Sequence, residues 1–507
     1  MVKYKILSLI ENPHSLRKKH TIKALNQSLK SFTLAIVICP PYDINMPHLG
    51  VASVASCISK LSKEKIKVID LNTMLYNLSS QRGFWDIEHV WQTQSPKVVR
   101  QIYNDCKAHI TKIINEIIHS NIDIIGVTIN ASNYLFVYEF MKDIKEKKSK
   151  IKIIAGGPNT MLEEFSLNYD LADFKVVGEG ELAFLNIVNH IRTGKENLNV
   201  SVATIDSANP NEVPGFKVRI DSLDLIPYPT FNEFDLGIYK KNNLPAYFSR
   251  GCINRCTFCY DWVVSGPKFK HRSIENLASD LEYLRNKHKI NYFCLNDLLC
   301  NGDLEKLEKL CDILIKKKLG ILWQSYALIR ADMSEKLFEK LRMAGCVLLH
   351  YGIDSGSDKI LKLMNKKYTS RDTEICLQRT HAAGIKCAIN IIVGYPGETE
   401  KEFNETIEII TRNKKCIHLV GNLLICSIRP KTILSTFWKK RIHSLNSYTG
   451  EDTYNWQMEG NNPEVREKRF RKMLDVFNNL GIFVESQFVS KEMEPDIVKR
   501  KKISNIV

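Results

Sequence analysis

The 507-residue sequence lacks long hydrophobic runs. Its longest apolar stretches, such as Leu34 to Cys39 and Ala388 to Val393, fall far short of the roughly 18 residues that a membrane span needs. The basic start of the chain, Met1 to Ile10, has too short an apolar stretch for a secretory signal, and no small-residue cleavage site follows it. We therefore expect a cytoplasmic protein without a transmembrane helix.

Acidic residues are in the minority, and the cysteines are not arranged for disulfides. Asp and Glu number 56 against 72 Lys and Arg, a net charge of +16 that favours anionic partners such as nucleotides, phosphates or RNA. Most of the 14 cysteines stand singly in apolar segments, as reduced core thiols do. Three differ, because Cys252, Cys256 and Cys259 fall within eight residues.

The first half of the chain alternates short apolar runs with amphipathic helices. Near-continuous apolar strands between helices predict a parallel sheet covered on both faces, in a doubly wound domain that binds ligands at the carboxyl ends of its strands. The predicted strands are Leu34–Cys39, Ile66–Leu71, Ile122–Ile129, Ile151–Ala155 and Phe174–Val177. The predicted helices are Leu49–Leu61, Val98–Ile118, Tyr134–Ile144 and Glu181–Ile191.

A second alternating series starts at Ala246 and predicts a (β/α)6 partial TIM-like barrel, with its chemistry at the carboxyl ends of the strands. The strand candidates are Ala246–Ser249, Asn291–Leu295, Ile321–Ser325, Cys346–Tyr351, Lys386–Val393 and His418–Leu424. Helices are expected at about 273–287, 303–317, 334–343, 370–382 and 400–413. The predicted organisation is thus α/β: a basic extension (1–32), the doubly wound domain (33–195), a Pro-rich linker (196–244), the partial barrel (245–435) and a small helical tail (436–507).

The dinucleotide-binding fingerprint is absent, since Gly178-Glu-Gly180 lacks a third glycine three residues on. A nicotinamide-type domain is therefore disfavoured. Gly and Pro at the predicted strand ends could simply punctuate turns, but together they favour a ligand pressed against backbone. These loops are Pro40-Pro41-Tyr42, Thr128-Ile-Asn130, Gly156-Gly157-Pro158 and Gly178-Glu179-Gly180-Glu181.

The cysteine triplet follows the first predicted barrel strand. Thiolates separated by four and then three positions can turn toward one centre, as iron–sulfur ligands do. Zinc is the alternative, but structural zinc usually takes four ligands in two pairs, and the next cysteines, Cys294 and Cys300, lie on the following strand and loop. Three thiolates suit a four-iron, four-sulfur cluster with one open iron.

The CxxxCxxC spacing after this strand resembles the signature of the radical S-adenosylmethionine (SAM) superfamily. Tyr351–Ser357 and Gly394–Thr399 look like the family's GIESG strand end and GxPGET turn. The resemblance implies that a 4Fe-4S cluster binds SAM through its open iron and cleaves it to a 5′-deoxyadenosyl radical. It implies SAM contacts at Tyr260, Asp297, Arg330, Asp354, Ser355, Gly394 and Gly397.

Several of these residues have a structural reading as well. Thr399 with Glu402 is also a helix-capping box, and Arg330 is also a candidate surface arginine. The family's glycine-glycine-glutamate motif is replaced here by Asn296-Asp297, and Asp297 could equally cap a helix. Which group contacts the SAM amino end therefore stays open.

Residues 34 to 185 resemble the cobalamin-binding domain that one class of this superfamily carries before the barrel. The resemblance implies cobalamin contacts at Pro41, Tyr42, Gly50, Thr128, Asn130, Gly156, Gly157, Pro158, Gly178, Glu179 and Gly180. Another kind of cobalamin enzyme ligates cobalt through an Asp-x-His-x-x-Gly motif, but none of the 13 histidines has Asp two residues before it. We therefore expect no histidine below cobalt and interpret His48 as a turn residue.

The resemblance implies a cobalamin-dependent radical SAM methyltransferase that passes a methyl group from SAM, via methylcobalamin, to an unactivated carbon. The alternatives are a rearrangement or cyclisation with the same cofactors, an RNA-modifying radical SAM enzyme, or a zinc-bound interaction module. Expected partners are a small-molecule or peptide substrate and an electron donor such as flavodoxin or ferredoxin. No recognisable RNA-binding module stands out, so nucleic acid is not favoured. No catalytic acid or base is assigned, and the sequence does not indicate the substrate.

Overall fold

The computed structural model describes residues 13–85, 95–158, 171–176, 178–194, 202–205, 215–218, 220–261, 268–429, 431–438, 453–454 and 456–488. The chain forms two compact units, Met1–Ala246 with Ser279–Tyr292 and Tyr247–Ala278 with Phe293–Val507. Among the helices described, none is both long and apolar enough to cross a membrane.

The first sheet is mainly parallel and has the strand order β2-β1-β3-β4-β5-β7-β6 among the described residues. Its strands are β1 (Leu34–Val37), β2 (Ile66–Ile69), β3 (Ile124–Thr128), β4 (Lys152–Gly156), β5 (Phe174–Val176), β6 (Val202–Ile205) and β7 (Gly215–Val218). The predicted parallel sheet is confirmed, because β1 to β5 pair only in parallel.

Helices cover both faces of this sheet. Alternate residues of β1 enter two separate cores, with Ala35 and Val37 in one and Leu34 and Ile36 in the other. This alternation explains why the strand is apolar throughout. The helices are Pro13–Leu25, Leu49–Leu61, Leu71–Leu78, Pro96–Asp105, Lys107–Ile118, Tyr134–Lys147 and Gly180–Thr193.

Three features of this half differ from the sequence prediction. The helix expected over Val98–Ile118 is two helices, with Cys106 between them. The basic extension contains a helix whose last residue, Leu25, is buried in the first core. The interval 196–244, predicted as a linker, contributes β6 and β7 to the sheet, where β7 pairs with β5. Strands of four residues are too short to show a clear hydrophobic periodicity in the sequence. They form because the edge of β5 offers backbone groups with which β7 can pair.

The second sheet has the order β16-β15-β14-β13-β12-β11-β8 among the described residues. Its strands are β8 (Leu244–Ala246), β11 (Tyr292–Leu295), β12 (Leu322–Ala327), β13 (Cys346–Asp354), β14 (Lys386–Val393), β15 (Leu419–Ile425) and β16 (Phe483–Phe488). A short antiparallel pair, β9 (Ser249–Arg250) and β10 (Lys270–His271), stands apart from it. The predicted partial barrel is confirmed.

The helices of this half are Ile274–His288, Leu304–Lys317, Glu335–Met343, Asp358–Leu363, Ser370–Ala382, Glu400–Arg412, Ile433–Trp438 and Pro463–Leu480. Side chains fix several of their starts: Asp303, Ser334 and Thr369 each accept a hydrogen bond from the backbone amide three residues on. The tail, expected to be helical, also carries β16, which pairs with β15 in parallel and extends the sheet.

Candidate functional site

The three clustered cysteines lie on the loop that follows β9. The loop begins at Gly251, which has a φ of +87°. A Cβ there would lie 2.3 Å from the carbonyl oxygen of Lys268, so only glycine allows the backbone to pass. Cys252 follows directly after this tight entry.

Two segments from the barrel hold this loop from outside. The Thr257 amide donates to the Met364 carbonyl over 3.0 Å, and the Asn365 side chain donates to the Arg255 carbonyl over 2.7 Å. The hydroxyls of Thr257 and Tyr395 lie 2.6 Å apart. The shape of the cysteine loop is therefore set by residues more than 100 positions away in sequence.

The three thiols differ in exposure. Cys256 is buried, whereas Cys252 and Cys259 are partly exposed. Burial raises the pKa of the Cys252 and Cys256 thiols, and the Lys366 ammonium opposes this effect at Cys256. No group of three or more His, Cys, Asp or Glu side chains in the described parts of the chain is arranged to hold one metal ion. A donor set of three thiols fits a multi-iron cluster better than a single zinc ion.

Asp297 lies at the end of β11 and is already fully bonded. Both of its carboxylate oxygens accept a hydrogen bond from the Phe248 amide, and one also accepts from the amide and hydroxyl of Ser249. Burial raises the pKa of Asp297 to about 6. In this structure Asp297 fixes the backbone that leads into the cysteine loop, and its predicted SAM contact stays a prediction.

The guanidinium of Arg330 likewise already has hydrogen-bond partners among neighbouring residues. Its guanidinium donates two hydrogen bonds to Asp332, at 3.0 and 2.6 Å, and others to the carbonyls of Asn301 and Gly302. It is nevertheless only partly buried, at the end of β12. A SAM carboxylate would have to replace Asp332 to use this arginine.

Asp354 and Ser355 end β13 and are both buried. Asp354 has a φ of +56° and forms an ion pair with Lys366. The Ser355 hydroxyl lies 3.3 Å from that of Thr406 and accepts from the Ser357 amide over 3.2 Å. The remaining predicted contact near the cysteines, Tyr260, has the Arg429 guanidinium 5.9 Å from its ring centre.

The turn after β14 is held by the C-terminal segment. Gly394 and Gly397 both have positive φ, and Asn461 donates to the carbonyls of Gly394 and Tyr395, each over 3.1 Å. Burial raises the pKa of Glu398, which accepts from the Gly394 amide, to about 7. The predicted capping box of Thr399 with Glu402 is present.

In the first unit, the loop after β1 contains a cis peptide bond between Pro40 and Pro41. Tyr42 stacks on His48, with ring centres 4.6 Å apart, and its amide donates to the Asn72 side chain over 2.9 Å. His48 caps the next helix by accepting from the Val51 amide. Burial lowers the pKa of His48 to about 4, so the ring is neutral at pH 7. The neighbouring Gly50 is exposed.

The ends of β3 and β4 approach each other closely. A Cβ on Gly157, which has a φ of +120°, would lie 2.4 Å from the Ile129 carbonyl oxygen. The side-chain oxygen of Asn130 accepts from Ser132 and Asn133, but its buried nitrogen, Nδ2, has no hydrogen-bond partner within the described residues. Such an unsatisfied donor at strand ends fits a site that a ligand completes. The remaining predicted contacts here, Thr128, Gly156 and Pro158, are respectively buried, half-buried and exposed.

The loop after β5 is the most open of the predicted cobalamin contacts. Gly178 has a φ of +84°, and a Cβ there would meet nothing within 4 Å. Glu179 accepts from the Ile220 amide over 3.1 Å, and Gly180 begins the helix that ends at Thr193. Loops after β1, β3, β4 and β5 therefore lie at one edge of the sheet, as a parallel sheet requires.

Sequence reasoning missed several residues that shape these sites. Lys366 pairs with Asp354, Arg466 packs on Gly394, and Asn72 ties the loop at Tyr42. Only Asn72 had a signal, because it follows shortly after the carboxyl end of β2, where parallel sheets bind ligands. The other two contact the site through tertiary packing, which no local pattern predicts.

Two family models match the chain: the B12 binding domain over residues 88–188 and the Radical SAM superfamily over residues 246–410. The chain is 26% identical over 296 residues to an uncharacterized methyltransferase of Pyrococcus horikoshii, covering 56% of this chain and 63% of that protein. It is 27% identical over 304 residues to the anaerobic magnesium-protoporphyrin IX monomethyl ester cyclase of Rubrivivax gelatinosus, covering 57% of this chain and 54% of the cyclase. The chain thus spans less than two thirds of the length of both relatives.

The fold is similar to that of the radical S-adenosylmethionine methyltransferase TsrM of Kitasatospora setae, solved with cobalamin and an iron–sulfur cluster bound. The TM-score is 0.59 at 14% identity, covering 83% of this chain and 82% of TsrM. A B12-binding domain followed by a radical SAM barrel defines the class of protein. The chain matches both models in this order, which confirms the cobalamin-binding and radical SAM arrangement that its motifs predicted.

Proposed function

We propose that the protein is a cobalamin-dependent radical SAM methyltransferase that methylates an unactivated carbon of a small molecule. The observation that carries the proposal is the set of three thiols on one constrained loop, in a chain that also matches a B12 binding domain over residues 88–188. The cofactors would be a 4Fe-4S cluster on Cys252, Cys256 and Cys259, SAM and cobalamin. When bound, they would supply the radical and the methyl carrier.

The protein's own residues would position these groups. Asp297 and Gly251 hold the two ends of the backbone that enters the cysteine loop, so the thiols are presented in a fixed arrangement. Asn130 and the open position at Gly178 favour cobalamin bound by backbone and small side chains at the strand ends. His48 is engaged as a helix cap, which fits cobalamin held without this histidine below cobalt.

A row of uncharged polar side chains on one face of the second sheet is the candidate substrate surface. Its members, Tyr326, His350, Asn390 and Asn422, come from four successive strands and are incompletely buried. The rings of Tyr326 and His350 lie 4.9 Å apart, and Asn422 donates to Asn390 over 3.2 Å. Closed barrels of this kind fill that face with apolar residues. A polar, accessible face favours a small molecule that offers neutral hydrogen-bonding groups.

Methylation and rearrangement are separated by following the methyl group. Protein reconstituted with all three cofactors would be supplied with SAM carrying an isotopically labelled methyl group, a low-potential electron donor such as flavodoxin, and small-molecule fractions. We expect a product that contains the label, together with 5′-deoxyadenosine, and neither with Cys256→Ala. An unlabelled product would show a rearrangement or cyclisation instead.

The RNA-modifying alternative is tested in the same assay. The +16 net charge permits RNA binding, and retention on RNA that falls steeply with salt would support it. Label incorporated into an RNA fraction and absent from the small-molecule fraction would replace the proposed substrate class.

A further inference from the structure

A lysine is buried directly behind the cysteine loop. The Lys366 side chain is 8% exposed, as is that of Asp354, with which it forms an ion pair. Its ammonium lies 5.4 Å from the ring centre of Phe258 and 5.7 Å from that of Tyr368. Phe258 stands between Cys256 and Cys259, so the charge faces the loop that carries the thiols.

This position is fixed by the backbone on both sides. Residues Leu363 to Asn365 bond the cysteine loop through the Met364 carbonyl and the Asn365 side chain, immediately before the lysine. The positive charge of the ammonium lowers the pKa of the Cys256 thiol against the effect of burial, and the ammonium itself donates to the Gly352 carbonyl over 3.4 Å. The lysine therefore reaches the loop from a segment that cannot move independently of it.

Stability alone does not explain the burial of the Lys366–Asp354 pair, because the burial costs free energy. Removing two charges from water costs several kcal/mol per ion, and apolar residues of similar volume are often as stable. Asp354 adds to the cost because it adopts a φ of +56°, which is uncommon for a residue with a Cβ. A cost of this kind beside a functional loop points to a role that apolar packing cannot perform.

Resting on the proposed function, we propose that Lys366 is a positioning residue whose buried ammonium beside the cysteine loop, balanced by Asp354, sets the reduction potential of the cluster. Reduction adds one electron, taken from the external donor, which is oxidised by one electron. Lys366 keeps its proton throughout. Positive charge and hydrogen bonds near ligating sulfur favour the reduced cluster, and a nearby carboxylate disfavours it.

The two partners should therefore act with opposite signs. Lys366→Met removes the positive charge and leaves a carboxylate, so the midpoint potential should fall. Asp354→Asn leaves the ammonium unbalanced, so the potential should rise. We expect each to change the ratio of reduced to oxidised cluster at a fixed potential by at least tenfold, a shift of about 59 mV for a one-electron couple. Lys366→Arg, which keeps the charge, should stay closer to wild type than Lys366→Met.

The experiment is a redox titration of the full-length reconstituted protein without SAM, monitored by electron paramagnetic resonance, on variants with wild-type iron content. Lys362→Met is the control, since this exposed lysine lies on the preceding helix. If Lys366→Met does not retain a cluster, the midpoint potentials of Asp354→Asn and Lys366→Arg test the inference instead. Equal potentials in all loaded variants, or shifts of the same sign, would overturn the inference. A wild-type protein that binds no cluster would instead overturn the proposed function.

Discussion

The side chain of Arg466 occupies the space beside Gly394 that a Cβ would need, at the end of β14. A Cβ on Gly394 would lie 2.3 Å from Cγ of Arg466, whose side chain is completely buried. The guanidinium lies 3.8 Å from the ring centre of Trp456 and donates to the carbonyls of Tyr454 and Trp456. The glycine-rich turn expected to face the adenine of SAM is thus backed by the C-terminal segment.

This relationship predicts energetic coupling between the two positions. Gly394→Ala should destabilise the protein, both because φ is +78° and because the new methyl group meets Arg466. Arg466→Ala removes the second cause, so the alanine at 394 should cost less in that background. We expect a coupling energy of about 0.5–3 kcal/mol in a double-mutant cycle of unfolding free energies. Strictly additive effects would show that Arg466 can move aside freely.

The cysteine triplet predicts an all-or-none effect on cluster assembly. Cys252→Ala, Cys256→Ala and Cys259→Ala should each abolish cluster binding and SAM cleavage, because three thiolates are needed to hold the cluster with one open iron. Iron content and 5′-deoxyadenosine formation are the measurements. Cys416→Ser is the matched control, since Cys416 is also partly exposed. Full iron content in Cys256→Ala would remove this residue from the ligand set.

The role of Arg330 can be separated from that of its partner. If the guanidinium holds the SAM carboxylate, Arg330→Ala should weaken SAM binding by about ten- to a hundredfold, the value of a charge-assisted hydrogen bond. Asp332→Asn releases the same guanidinium from its ion pair and should leave SAM binding unchanged or tighter. Equilibrium binding of SAM to the reconstituted protein is the measurement. An unchanged affinity in Arg330→Ala would make the arginine a local structural residue.

The first unit predicts cobalamin binding that does not depend on His48. His48→Asn keeps a helix-capping side chain and should leave both cobalamin affinity and the cobalt(II) spectrum unchanged. Asn130→Leu removes the unpartnered donor at the end of β3 and should weaken binding. Gly157 and Gly178 both have positive φ, so a bulky residue at either position would strain its loop and should also weaken binding. A nitrogen splitting in the cobalt(II) spectrum would reveal a lower ligand.

Glu398 predicts a pH dependence of stability. Its pKa is raised to about 7 from an ordinary 4.5, first of all by burial. Between these values the unfolded chain releases the proton while the folded protein keeps it, so the free energy of unfolding should fall as pH rises from about 4.5 to 7. Glu398→Gln should remove this component, and exposed Glu408→Gln should not. Parallel pH profiles of the melting temperature in wild type and Glu398→Gln would contradict the prediction.

Local sequence determined much of this protein. Apolar runs such as Leu34–Cys39 specified their strands because a strand buried on both faces must be apolar throughout. The spacing of Cys252, Cys256 and Cys259 indicated one loop and one centre, because ligands that close together cannot serve distant sites. Thr399 and Glu402 specified a helix start through bonds between residues three apart.

Tertiary structure decided the rest, because it depends on contacts between distant segments. Strands β7 and β16 exist as extensions of edges offered by β5 and β15, and neither short segment carries a strong pattern of its own. Whether Asp354 faces a ligand or a cation depends on Lys366, which comes from a segment twelve positions later and carries no local pattern that indicates this pairing. Gly394 needs to be glycine because Arg466, 72 positions later, fills the space its side chain would occupy.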